Sequence, residues 1–185
     1  MKILNKIVPV LFLLFSCTKD KVYKPFSERE LDFVNYSVGQ TIRLLDTNNA
    51  VHTFVQDTLQ REFREFIGIN GRTHDFHELF SVQYYSTIEP LGFSIGISGK
   101  FYPYTLGELS IFFGDYMIIA IVDSLRPTMP TLTITGTTYS NVHSLKAYKY
   151  GWSPNNTDTA TMYYNKQYGI IQFLFPNGKS FIRTN

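Results

Sequence analysis

The chain has 185 residues, of which 17 are Lys or Arg and 15 are Asp or Glu, with one cysteine and 16% aromatic residues. This balance of charge gives no indication of the basic face that a nucleic-acid-binding protein needs, and a single thiol excludes an internal disulfide. The length suits one domain with a sizeable core and is short for two.

Residues 1–16 are predicted to form a cleavable signal peptide. Lys2 and Lys6 supply positive charge, an apolar run of nine residues extends from Ile7 to Phe15, and the small Ser16 ends the segment. Nine helical residues would cover about 14 Å of a hydrocarbon core about 30 Å thick, so this run is too short to span a membrane. Removal of these 16 residues leaves 169, with 15 basic and 15 acidic side chains, so the mature protein is formally neutral.

The single cysteine, Cys17, directly follows this segment. The run Leu14-Phe15-Ser16-Cys17 resembles the bacterial lipobox, which implies a lipid on Cys17 and attachment to the membrane. The alternative is an ordinary signal peptide with a chance cysteine at its end. Lys19 and Asp20 resemble the surface-export signal of Bacteroidota lipoproteins, which implies the outer membrane and favours its outer face. Residues 17–26 are expected to form the lipidated cysteine and its tether.

The first element after the tether is predicted to be a short helix. Ser27 can cap it, Glu30 completes a capping box three residues later, and Phe26 and Leu31 are spaced as a hydrophobic staple. The helix is expected over about Glu28–Asn35.

From Gln40 onward, the pattern is typical of strands. Segments in which apolar and polar residues alternate are separated by turn residues, and these segments predict short antiparallel strands. They are Gln40–Asp46, Val51–Thr58, Arg61–Ile69, Ser81–Thr87, Gly92–Lys100, Glu108–Gly114, Tyr116–Val122, Thr131–Thr137, Val142–Tyr150, Ala160–Asn165, Gly169–Phe175 and Lys179–Arg183. Met117–Val122 is apolar on both faces, which predicts the central buried strand, with Ile119 and Ile121 on one face. Asn177-Gly178 predicts a type I′ turn before the last strand.

Many short strands with almost no helical period predict an all-β fold. Two architectures are open, an antiparallel β-sandwich and a curved, partly closed β-barrel, each with one short N-terminal helix. Residues 27–185 are expected to form a single β-rich domain.

Two stretches resemble small envelope lipoproteins of the Bacteroidota. The opening of the domain reads Tyr36-Ser37-Val38-Gly39-Gln40-Thr41-Ile42 and then Thr53-Phe54-Val55. The end contains Tyr139-Ser140-Asn141-Val142 and the segment Tyr163–Phe173, which are similar to the C-terminal hairpins of that group. The resemblance covers about half of the mature chain and departs at Gln40, where the group carries an acidic residue. It implies the same address and a β-rich fold, and it brings no catalytic residues.

Two patterns could carry chemistry. Gly92-Phe93-Ser94-Ile95-Gly96 matches the nucleophile elbow of hydrolases, but the alternation continues past Ser94 and predicts a position in mid-strand. The segment His74-Asp75-Phe76-His77-Glu78 contains metal-ligand residue types, since two histidines three residues apart can share a metal on a helix. It follows Asn70-Gly71 and is expected to be a polar loop. No metal or other cofactor is predicted.

Aromatic and hydroxyl side chains are the remaining candidates. Aromatic side chains that offer flat faces with polar tips are the candidates for a ligand surface, namely Tyr84, Tyr102, Tyr104, Tyr148, Trp152 and Tyr163. The alternative is that these side chains only cover the solvent side of the sheets. Three strings of Asp, a hydroxyl residue and a small or aliphatic residue resemble the O-glycosylation sequon of Bacteroidota envelope proteins, which implies sugars on Thr58, Ser124 and Thr159. The alternative is ordinary turn chemistry.

The favoured interpretation is a lipid-anchored envelope protein without catalytic activity, which binds a protein or a glycan or serves a structural role. One alternative is a hydrolase or other enzyme that uses Ser94 or the His74/His77 segment. Another is a lipid-carrying half-barrel chaperone, which would show an apolar concavity.

Overall fold

The computed structural model describes residues 20–34, 39–68, 71–88, 90–99, 107–149 and 158–184. Strands make up most of this part of the chain, which confirms the all-β prediction. The twelve strands are β1 (Val22–Lys24), β2 (Thr41–Asp46), β3 (Val51–Gly68), β4 (Gly71–Ser86), β5 (Gly92–Ser98), β6 (Glu108–Phe113), β7 (Tyr116–Ile121), β8 (Met129–Ile134), β9 (Thr137–Lys149), β10 (Thr159–Asn165), β11 (Gly169–Leu174) and β12 (Ser180–Thr184).

Ten of these strands close into an antiparallel barrel, in the order β4-β3-β2-β12-β11-β10-β9-β7-β6-β5. The closing contact is between β4 and β5, where Leu79–Tyr85 pairs with Gly92–Ser98. The two other strands lie outside this ring, β1 parallel to β4 and β8 antiparallel to β9. Of the two predicted architectures, the structure therefore has the barrel, and the barrel is fully closed.

The predicted helix start is confirmed. Helix α1 (Glu28–Leu31) continues into a 3₁₀ turn (Asp32–Val34), and both halves of the capping box form between Ser27 and Glu30. The backbone N–H of Ser27 donates to Glu30 Oε2 at 2.7 Å. Among the described residues, no helix is long and apolar enough to cross a membrane.

Aromatic side chains fill the inside of the barrel. The Phe113 ring stacks on Phe173 with centroids 4.7 Å apart, and Phe93 stacks on Tyr84 at the same distance. Phe54 and Phe181 pack against Phe113 from two other strands. Small closed barrels of this kind are packed by the inward residues of every strand, and this one follows that rule.

The prediction that Met117–Val122 is the most buried stretch is wrong. In β7, Ile118 is buried, but Ile119 is 54% exposed and Ile121 is only half-buried. A strand in a closed barrel has one face outside, so alternate residues are exposed even when they are apolar.

Two other local predictions need correction. The stretch Arg61–Ile69 is not a separate strand, because β3 runs unbroken from Val51 to Gly68. Gly178 has a positive φ of 82° but Asn177 does not, so the turn before β12 is not type I′. Pro176 precedes Asn177, and the Gly178 N–H donates to the Phe175 carbonyl at 3.0 Å, as in a type I turn followed by a left-handed glycine.

Candidate functional site

Ser94 lies in the middle of β5 with its neighbours continuing as strand, as the sequence predicts. Phe93 and Ile95 are buried in the barrel, so the half-buried Ser94 is on the outer face. Its lateral partners are Gln83 on β4 and Phe112 on β6. Neither side chain can act as a general base for a serine nucleophile.

The prediction that His74–Glu78 is a polar loop is wrong, because the segment is part of β4 and pairs with β3. Its charged groups make structural contacts. Glu78 is buried and accepts from the Phe26 N–H at 2.8 Å and from the Arg61 guanidinium, and Asp75 pairs with Lys24 at 2.6 Å. The side chain of His74 lies outside the described residues. Among the described residues, no three His, Cys, Asp or Glu side chains cluster as metal ligands.

Three members of the predicted tyrosine surface are among the described residues, and one of them is inside the barrel. Tyr84 is 0% exposed inside the barrel, where burial raises its pKa to about 12, so its placement on a ligand surface is wrong. A tyrosine ring can fill a core as readily as it covers a surface, which explains the error. Tyr148 is 42% exposed on β9, whereas Tyr163 is half-buried against the cluster beneath β8. The other members, Tyr102, Tyr104 and Trp152, lie outside the described residues, as does Cys17.

The three candidate glycosylation hydroxyls lie outside the core. Thr58 and Ser124 are exposed and Thr159 is half-buried. Thr58 is predicted at the end of a strand. It lies instead within the long β3, beside a register shift in the pairing with β4. Glycosylation stays a prediction, for which the expected result is a mature mass that exceeds chain plus lipid by the mass of at least one glycan. A mass equal to chain plus lipid would contradict it.

A cavity of about 370 Å³ lies at the end of the barrel where β7 and β10 finish. Four segments form its wall, namely the 3₁₀ turn after α1, the loop between β7 and β8, the middle of β9 and the turn between β10 and β11. The lining residues are Phe33, Leu125, Arg126, Pro127, Ser140, Asn141, His143, Asn165, Lys166 and Gln167.

Hydrogen bonds hold these segments in place. The Thr128 N–H donates to the Val142 carbonyl at 3.0 Å, and its Oγ1 accepts from the Ser144 N–H at 2.8 Å, which fixes the β7–β8 loop across β9. The buried Asn165 donates to the Ser140 carbonyl at 3.1 Å and accepts from the Tyr168 N–H at 2.7 Å. The cavity is therefore built on braced segments, as a pre-formed binding site requires.

His143 is the buried titratable group of this cavity. It is 2% exposed, its ring lies 5.6 Å from that of Phe33, and its Nδ1 has no hydrogen-bond partner among the described residues. Burial lowers the pKa of His143 from its ordinary value of 6.5, hydrogen bonding to the Arg126 backbone opposes this, and the charge of Lys166 adds to the lowering. The imidazole is therefore neutral at pH 7, with one donor and one acceptor nitrogen.

Two cations stand at the cavity. Arg126 is exposed and donates through Nη1 to the Leu125 carbonyl at 3.1 Å. Lys166 pairs with Asp32 at 3.2 Å and lies over the Phe33 ring, 4.5 Å from its centroid. Among the described residues that line the cavity, none carries a carboxylate.

Sequence reasoning missed this site, because its wall comes from segments more than 100 residues apart, from Phe33 to Gln167. The structural mark of the site is a break in the alternation of β9, where the consecutive residues Val142 and His143 are both buried. The break follows Asn141, whose positive φ of 53° kinks the strand where its pairing passes from β8 to β10.

No protein-family model, curated protein or solved structure matches the chain. The resemblance to small Bacteroidota envelope lipoproteins therefore stays a prediction. The described cavity is the feature from which a function can be argued.

Proposed function

We propose that this protein is a non-catalytic binding module, anchored in the outer membrane by a lipid on Cys17, which binds a glycan through the cavity beside His143. The single observation that carries this proposal is the composition of the cavity wall. Its volume of about 370 Å³ would accept one sugar residue at the end of a longer chain. The amides of Asn141 and Gln167 and the hydroxyl of Ser140 offer the donors and acceptors that sugar hydroxyls need.

The two alternatives have less support. A lipid carrier would need an apolar concavity, whereas aromatic side chains occupy the barrel interior. A hydrolase would need a nucleophile beside a base, and Ser94 has Gln83 and Phe112 as its strand neighbours. A structural role predicts no captured carbohydrate, and a protein partner predicts captured protein without sugar.

The envelope address supports a glycan as the partner. Residues 1–16 have the pattern of an export signal, and Lys19 and Asp20 favour the outer face of the membrane. A protein held there by a tether meets cell-surface and environmental glycans. The formally neutral mature chain has no long-range charge to favour one class of partner, so selectivity has to come from the cavity itself.

Filling the cavity mouth is expected to abolish capture of the partner. Gln167 is exposed in the β10–β11 turn at the cavity, so Gln167→Trp would block entry with little effect on the fold. Material cross-linked to the protein on intact cells and analysed for carbohydrate should be present with the wild type and lost with Gln167→Trp.

Gln83→Trp is the matched control, because Gln83 is exposed on the outer face of β4 and does not line the cavity. It should capture as much carbohydrate as the wild type. Equal capture by Gln167→Trp, or captured material that contains protein and no sugar, would refute the proposal.

A further inference from the structure

The charged residues that line the cavity are both cations, which restricts the class of ligand further. Arg126 and Lys166 both line the cavity and come from different segments, one from the β7–β8 loop and one from the β10–β11 turn. The nearest partner of Lys166 is Asp32, but this ion pair is largely exposed, with 61% of the Asp32 side chain accessible. Exposed ion pairs contribute little, so Lys166 can turn to an anionic ligand at small cost.

His143 adds a second requirement. Nδ1 of His143 is a buried polar atom without a hydrogen-bond partner among the described residues, and His143 lines the cavity. Such an atom is expected to have a partner in the functional state. Because burial keeps the ring neutral, Nδ1 can meet an uncharged hydroxyl without a change in protonation. The cavity is therefore lined by two cations and by His143, whose ring is neutral and carries a buried polar nitrogen without a partner among the described residues.

The geometry points to a carboxylic acid that also carries hydroxyl groups as the ligand, with an acidic sugar of a glycan as its source. The assignment rests on the proposed function and adds the ligand class to it. The carboxylate pairs with Arg126 and Lys166, and a ring hydroxyl bonds to Nδ1 of His143. Ser140 and Gln167 are left to bond the remaining hydroxyls.

The test is isothermal titration calorimetry of the full chain in detergent, with D-glucuronate, D-glucose and acetate titrated in separate experiments. Glucuronate is expected to bind about tenfold more tightly than either control, because glucose lacks the charge-assisted hydrogen bonds and acetate lacks the hydroxyls. Raising the salt concentration should weaken glucuronate binding and leave glucose binding unchanged.

Variants separate the two parts of the site. Lys166→Gln and Arg126→Gln should each weaken glucuronate about tenfold without changing the weak binding of glucose. His143→Phe keeps a ring against Phe33 and removes Nδ1, so it should weaken both sugars. Lys146→Gln is the matched control, since Lys146 is exposed on β9 and does not line the cavity.

Several results would overturn the assignment. Equal affinity for glucose and glucuronate would remove the need for an acid, and equal affinity for acetate and glucuronate would leave a site for simple carboxylates only. An equal loss of affinity with Lys146→Gln would show a general effect of net charge. If no probe binds while Gln167→Trp still blocks capture on cells, the ligand class is wrong and the proposed function stands.

Discussion

Replacing Cys17 with alanine is expected to abolish lipid attachment and to release the protein from the membrane. Acylation requires the thiol, and Cys17 is the only cysteine in the chain, so no second residue can take over. The measurement is metabolic labelling with palmitate, together with partition of the protein between detergent and aqueous phases. The wild type should carry label and enter the detergent phase, whereas Cys17→Ala should carry none and remain aqueous or accumulate as the precursor.

Ser16→Ala is the matched control for this experiment. It changes the residue next to Cys17 but keeps a small side chain before the cysteine, as the lipobox pattern requires, so it should be labelled like the wild type. Equal palmitate label in Cys17→Ala would contradict the anchor and, with it, the proposed address.

Truncating Ile118 is expected to lower the free energy of unfolding by about 2–5 kcal/mol, because it leaves a cavity in a packed core. Ile118 is 2% exposed and lies opposite Ile111 on β6. The neighbouring Ile119→Ala is an unusually close control, since it makes the same chemical change on the outer face of the same strand. It should cost about 1 kcal/mol or less, mainly through the lower β-propensity of alanine.

Chemical denaturation of both variants measures this difference. A cost for Ile119→Ala equal to that for Ile118→Ala would show that β7 is buried on both faces. The strand would then be inside a sandwich or an assembly, and the outer face of the barrel at β7 would be wrongly assigned.

Local patterns predict part of the local structure of this protein. Ser27 and Glu30 form the expected capping box, and Leu132 and Ile134 of β8 pack inward while Thr131 and Thr133 face solvent. The alternation of apolar and polar residues along a strand can be seen from neighbouring positions in the sequence alone.

Closure of the barrel could not be predicted in the same way. It depends on pairing between β12 and β2, which come from opposite ends of the described chain and whose register no local pattern sets. Closure of the barrel decides whether a residue such as Ile119 faces a second sheet or solvent. It also decides that Tyr84 is buried. The length of β4 was missed because the charged and polar residues of His74–Glu78 suggest a loop, while in the barrel Glu78 is buried against Arg61.

The candidate site was beyond local patterns for a related reason. Ser94 and the His74–Glu78 segment match short motifs, and short motifs carry no information about what lies across the fold. The cavity is formed instead by residues of different types, Phe33, Arg126, His143 and Lys166, which come together only when the ring of strands closes.

The ligand site is tested most directly by NMR of the full chain with ¹⁵N-labelled histidine. The chain has four histidines, and the spectrum of His143→Phe assigns the resonances of His143 by their loss. Addition of D-glucuronate should shift the ring nitrogen resonances of His143, Nδ1 above all, and leave those of His52 and His77 unchanged. Saturation of the protein by glucuronate with no change at His143 would place binding elsewhere and contradict the site.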